Sequence, residues 1–120
     1  MKVIVAGSRD VIREDVLAGI RKSLMTVDWK ITEIVHGGAR GVDQIAGDYF
    51  HGKYPIKVFP ADWGRHGRGA GHIRNLKMAQ YADALIAIWD RTSPGTKAMI
   101  RVATREKIRI HVHILPKGRS

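Results

Sequence analysis

The chain has 120 residues, with 21 Lys and Arg against 11 Asp and Glu for a formal net charge of +10, and it contains no Cys. One core commonly serves about 100–200 residues, so a single domain over residues 1–120 is expected, while the missing cysteines exclude disulfide staples and thiolate metal sites. No apolar run approaches the ~18 residues of a membrane span, and 44% hydrophobic with 27% charged residues is the composition of a folded domain rather than a disordered tail.

Residues 2–6 carry Val3, Ile4 and Val5 and read as a buried strand. The run is too short for a signal-peptide core, since charge returns at Arg9 and Asp10, and a soluble cytoplasmic protein is expected. Gly7-Ser8-Arg9 follows it. Ile12, Val16, Ile20 and Leu24 then recur every four residues, as on the apolar face of a helix. Asp10 is the expected N-cap, and Glu14 and Asp15 sit where the helix dipole favours negative charge.

Residues 31–36 form a second strand, which ends in His36-Gly37-Gly38-Ala39-Arg40-Gly41-Val42-Asp43 and runs into a helix striped by Val42, Ile45, Ala46, Tyr49 and Phe50. Glycines at such a junction let backbone N–H groups approach an anion closely, and the open N–H groups of the first helical turn complete a cradle. The dipole alone contributes about 0.3–1 kcal/mol per charge, so Arg9 and Arg40 are the expected charged partners. Neither loop matches G-x-G-x-x-G or G-x-x-x-x-G-K-[ST], which argues against an ordinary dinucleotide dehydrogenase and against a Walker-type ATPase.

Residues 56–60 make the third strand. Beyond them the chain turns glycine-rich and basic, Trp63-Gly64-Arg65-His66-Gly67-Arg68-Gly69-Ala70-Gly71, the composition of a flap that closes on phosphates. Trp63 is placed either to stack on a base or to cover the site. Ile73, Leu76 and Ala79 mark a third helix, carrying Arg74 and Asn75 as expected contacts for phosphate or sugar. The fourth strand, residues 84–89, leads to Asp90-Arg91-Thr92-Ser93-Pro94-Gly95-Thr96, where hydroxyls and a glycine enter a fourth helix marked by Met99, Val102 and Ala103. Residues 109–115 alternate His111 and His113 with Ile110, Val112 and Ile114, an edge strand with one wetter face. No His spacing in the chain matches a metal site, so no metal and no resident cofactor are expected.

Strands alternating with helices at this spacing require right-handed crossovers, which gives an α/β fold: a Rossmann-like three-layer sandwich with a mainly parallel five-stranded sheet. Ligands of such sheets sit beyond the carboxyl ends of the strands, where the strand order reverses. Charge is uneven as well. Residues 1–60 hold 9 basic and 7 acidic residues, and residues 61–120 hold 12 and 4, so an anionic partner is indicated.

Taken in order, Gly7-Ser8-Arg9, Gly37-Gly38-Ala39-Arg40-Gly41-Val42-Asp43, Ala70-Gly71 with Arg74-Asn75 and Met78, Ala82-Asp83, Trp89-Asp90 and Ser93-x-Gly95-Thr96 resemble the SLOG superfamily, specifically its YspA-like branch. The likeness runs over nearly the whole chain. It implies a Rossmann-like domain that binds a nucleotide or nucleotide derivative, such as ADP-ribose, NAD or a mononucleotide, as sensor or processor, and it implies a homo-oligomer. The same superfamily includes LONELY GUY phosphoribohydrolases, whose R-x-x-x-M segment is matched by Arg74 and Met78 and whose P-G-G-x-G-T-x-x-E segment is matched in part by Gly95-Thr96. Met99 stands at the glutamate position, and a thioether can neither stabilise an oxocarbenium centre nor activate water. The superfamily also includes DprA-like binders of single-stranded DNA, for which Arg65, Arg68, Arg74, Lys77, Arg101 and Arg105 would form a track with Trp63 as a stacking platform. A nucleic-acid track accounts for the charge only, whereas a phosphate pocket accounts for the glycines too. The sequence therefore favours a small-molecule pocket.

Overall fold

In the computed structural model, which describes residues 1–116, five strands alternate with helices in the expected order. These are β1 (Lys2–Gly7), α1 (Arg13–Thr26), β2 (Glu33–His36), α2 (Val42–Phe50), β3 (Ile56–Val58), α3 (Trp63–His66), α4 (Ala70–Tyr81), β4 (Ala84–Trp89), α5 (Pro94–Arg105) and β5 (Arg109–Ile114), with a 3-10 turn at Gly67–Gly69. The sheet order is β3-β2-β1-β4-β5, and every neighbouring pair is parallel. The Rossmann-like three-layer sandwich is thus present. The strand order reverses between β1 and β4, which places the switch point of the sheet there.

Period-two alternation explains both layers. Val3 and Val5 of β1 with Ile86 and Ile88 of β4 face α1 and α2, where Val16, Ile20, Val42, Ile45 and Phe50 close the core. Ile4, Ala6, Leu85 and Ala87 face the other way, onto Met78 and Ala79 of α4 and Met99, Val102 and Ala103 of α5. Because both faces are covered, the central strands are apolar at consecutive positions instead of alternating with polar ones. Among the described residues no helix is long and apolar enough to cross a membrane.

Three local expectations change. Asp10 does not cap α1: the helix begins three residues later with Ile12 at the N-cap in extended conformation and no side-chain cap, because residues 9–12 are still leaving the sheet. The flap is not an open loop, since α3 and the 3-10 turn lead directly into α4, although neither contains a buried residue. On β5 the histidine face is the more covered one. His113 packs against α1 at Gly19, where a Cβ would lie 2.6 Å from the His113 ring, and burial lowers the His113 pKa, with Lys22 and His111 adding to the effect. Val112 and Ile114 point the other way and are exposed.

Candidate functional site

Three strand ends converge at the switch point. At the end of β1, the Ser8 N–H donates to the Ile88 carbonyl at 3.2 Å and the Ser8 carbonyl accepts from Val42 N at 3.1 Å, which fixes this residue between β4 and the start of α2. Gly7 is needed for that approach: a Cβ there would lie 2.1 Å from the Ile88 carbonyl oxygen. Gly41 has φ +84° and sits against the backbone of Ser8 and Arg9, where a Cβ would come within 2.4 Å of the Arg9 carbonyl oxygen. The loops after β1 and β2 are therefore packed together by glycine.

The loop after β2 is held from inside. Asp43 Oδ2 accepts from Gly37 N at 2.9 Å and Ala39 N at 3.3 Å, while His36 Nδ1 accepts from Gly38 N at 3.0 Å. Arg74 donates through Nη1 to the Gly37 carbonyl and through Nε to Asn75 Oδ1, both at 2.9 Å. Burial pushes the Asp43 carboxyl pKa up, opposed by the Ala39 N–H, His36, the Gly37 N–H and Arg74. Burial likewise lowers His36, against the pull of Asp43, and lowers Arg74. The N–H groups expected to cradle an anion are thus already engaged by protein side chains, with a carboxylate behind them. Arg40 also turns away, onto Asp10 at 3.2 Å.

The loop after β4 is built differently. Asp90 Oδ1 accepts from Thr92 N and Ser93 N, each at 2.8 Å, and Oδ2 accepts the Ser93 hydroxyl at 2.8 Å. Burial raises the Asp90 carboxyl, but the hydrogen bonds from Ser93 and Thr92 outweigh it and hold its pKa at about 2. Ser8 Oγ lies 3.0 Å from Ser93 Oγ and accepts from Asp90 N at 3.1 Å. With its hydroxyl occupied in this way, Ser93 does not cap α5, and Pro94 occupies the first turn. The first-turn N–H groups of Gly95 and Thr96 are left without a side-chain cap. Thr96 is 4% exposed, and its hydroxyl, with no hydrogen-bond partner among the described residues, is the part open to the cleft.

These loops enclose a cleft of about 550 Å³, within the range usual for small-molecule sites. Gly7, Ser8, Arg9, Ala39 and Asp43 form one wall, Ser93, Gly95 and Thr96 the second, and Arg74, Asn75 and Trp63 the third. Gly37, Gly38, Arg40 and Gly41 shape the β2 loop without lining the cleft. Trp63 is 55% exposed and stands over Gly71, with its Cη2 3.8 Å from where a Cβ of that glycine would be. Of the expected flap arginines, Arg68 lines the cleft and Arg65 does not; sequence reasoning did not single out His72 or Asp10 as lining residues, because their placement depends on how α4 and the β1 loop sit over the sheet. Of the cleft's charges, Asp10, Asp43 and Asp90 are all engaged as described. Arg9 and Arg68 have no ion pair among the described residues. Met99 lines the floor and is 2% exposed, so the glutamate position of the hydrolase pattern does face this cleft, occupied by a thioether.

Fold and site together define a parallel α/β protein with a cleft of mixed polar and apolar lining at the switch point of its sheet. The chain is similar to the Gene 61 protein of Mycobacterium phage D29, 39% identical over 82 residues, a match covering 62% of this chain and 66%, just under two thirds, of that protein. No protein-family model matches the chain, and no solved structure matches it significantly.

Proposed function

We propose that the cleft binds a nucleotide or nucleotide derivative, of the ADP-ribose, NAD or mononucleotide type, as a sensor or processor of that ligand. The observation that carries this reading is the entrance to α5. Uncapped N–H groups at Gly95 and Thr96 lie beside an unpartnered Thr96 hydroxyl that is open to the cleft. A phosphate supplies the acceptor oxygens that such a set of donors lacks, and the α5 dipole favours its charge. The unpaired Arg9 and Arg68 add positive charge on the same cleft. Sugar hydroxyls fit beside Asn75 and Ser8, and Trp63 offers an aromatic face at the rim for the base. The resemblance to SLOG proteins supports the same ligand class.

Turnover is the less supported reading. The carboxylates of Asp43 and Asp90 already accept hydrogen bonds from their own loops, and Met99 supplies no base. A thermal-shift screen against ADP-ribose, NAD, AMP and cyclic nucleotides tests the proposal, since a ligand at 100 times its Kd adds about 2.7 kcal/mol to native-state stability. No shift with any of them would remove the reading.

A further inference from the structure

The cleft does not account for most of the positive charge. From Trp63 through Ala82, and again from Arg91 through Arg105, the chain contains no Asp or Glu, so α4 and α5 are free of acidic residues throughout. In residues 61–116, nine Lys and Arg are exposed against three exposed acids, Asp62, Asp83 and Glu106. Of those nine only Arg68 lines the cleft. The layer formed by α1 and α2 is mixed by contrast, with acids interspersed such as Glu14 and Asp48.

On α5 the charges form a line. Lys97, Arg101 and Arg105 are all exposed and fall at i, i+4 and i+8, opposite the buried Met99, Val102 and Ala103. They follow one side of the helix for about 12 Å. Like charges four apart weaken a helix, and Lys97 sits in the first turn, where the dipole disfavours a cation. No acid on α5 offsets either effect. Lys77 is exposed on α4, which packs beside α5.

We propose that this outer face of α4 and α5 is a docking surface for the phosphate backbone of a nucleic-acid duplex, separate from the cleft. Three observations choose this partner. A protein partner calls for an apolar centre, and among the exposed large hydrophobics only Leu76 lies on α4 or α5. An anionic membrane calls for an apolar anchor of several side chains, and Leu76 alone does not make one. Single strands are held by stacking on aromatic side chains; α5 carries none, the one on α4, Tyr81, is engaged with Phe59, Glu33 and Lys2, and Trp63 stands at the cleft rim. Charge without aromatic or apolar surface is the requirement for sequence-independent contact with a duplex backbone.

The test is fluorescence anisotropy of the whole chain with a labelled mixed-sequence duplex of about 20 base pairs, with either of its single strands and with poly-glutamate, across a salt series. If Lys77, Lys97, Arg101 and Arg105 each meet one phosphate, the log–log slope is about −3.6, a loss of roughly 150-fold between about 50 and 200 mM salt. The double variant Arg101→Gln/Arg105→Gln then has a slope near about −1.8, while Arg21→Gln/Lys22→Gln on α1 leaves the slope unchanged. Both pairs are exposed, so both variants should fold, and thermal unfolding followed in parallel stays as in the wild type. The proposal is overturned by absent duplex binding at low salt, by tighter binding of the single strand or poly-glutamate, or by equal effects of the two double variants. A cleft that binds no nucleotide leaves it standing.

Discussion

Replacing Asp90 with Ala removes the acceptor around which the turn from β4 into α5 is wound. Its two oxygens receive the Thr92 and Ser93 N–H groups and the Ser93 hydroxyl, all at 2.8 Å. Burial opposes ionisation of this carboxyl, but the bonds from Ser93 and Thr92 prevail and hold its pKa at about 2. Against ~3.9 for an unfolded Asp, linkage sets a ceiling of about 2.6 kcal/mol on what the ionised group contributes. Solvent reaches the carboxylate, and screening reduces this to about 1 kcal/mol, similar to the loss of a helix-capping acceptor. Because the folded pKa is depressed, the contribution is whole above the unfolded pKa and disappears as pH falls through about 2. About half is gone by pH ~3. Urea unfolding of wild type and Asp90→Ala is the assay. The variant should be weaker by about 1 kcal/mol near pH ~6, and the gap should halve near pH ~3. A variant as stable as wild type near pH ~6, or a gap that does not change with pH, would refute the role given to this carboxylate.

Gly41→Ala should destabilise the fold by about 1–3 kcal/mol, since residue 41 has φ +84° and a Cβ would press on the Arg9 carbonyl; an unchanged melting temperature would contradict the packing of the two loops. Asp43 has a raised folded pKa, so ionising it costs the folded state more than the unfolded one, and wild type loses stability as pH rises through that pKa. Asp43→Asn lacks this dependence, and denaturation curves should show its stability gaining on wild type from acid to neutral pH. Free base should not appear above background when nucleoside monophosphates are incubated with the protein and followed by chromatography; turnover abolished in Asp90→Ala or Asp43→Asn would show a hydrolase despite Met99.

The architecture was legible because the central strands are apolar on both faces and the helices repeat at three and four residues, a pattern that only a covered parallel sheet satisfies. Strand ends were read one or two residues long, as at Phe59 and Pro60, since propensity does not register where the ladder stops. The site was legible as a set of strand ends but not in its division of labour. Gly37, Gly38 and Gly41 look in sequence like an anion cradle, yet hydrogen bonds from Gly37 and Gly38 to Asp43 and His36 engage this loop, and Gly41 packs against the β1 loop. That depends on Asp43 turning back one helical turn onto its own loop, which spacing alone does not decide. The Thr96 hydroxyl and the uncapped start of α5 follow from Ser93 bonding across to Asp90 and Ser8, a contact 85 residues apart in the chain. His113 was misjudged because the void it fills is left by Gly19 on a different element.

The most direct measurement is calorimetric titration of wild type and Thr96→Val with whichever nucleotide gives the largest thermal shift. The Thr96 hydroxyl has no partner among the described residues, so the variant should keep wild-type stability. A hydrogen bond to a charged phosphate contributes about 1.5–3 kcal/mol, so affinity should fall by roughly 10- to 150-fold. Equal affinity in the two proteins, or no nucleotide that binds the wild type, would contradict the placement of a ligand phosphate at the start of α5.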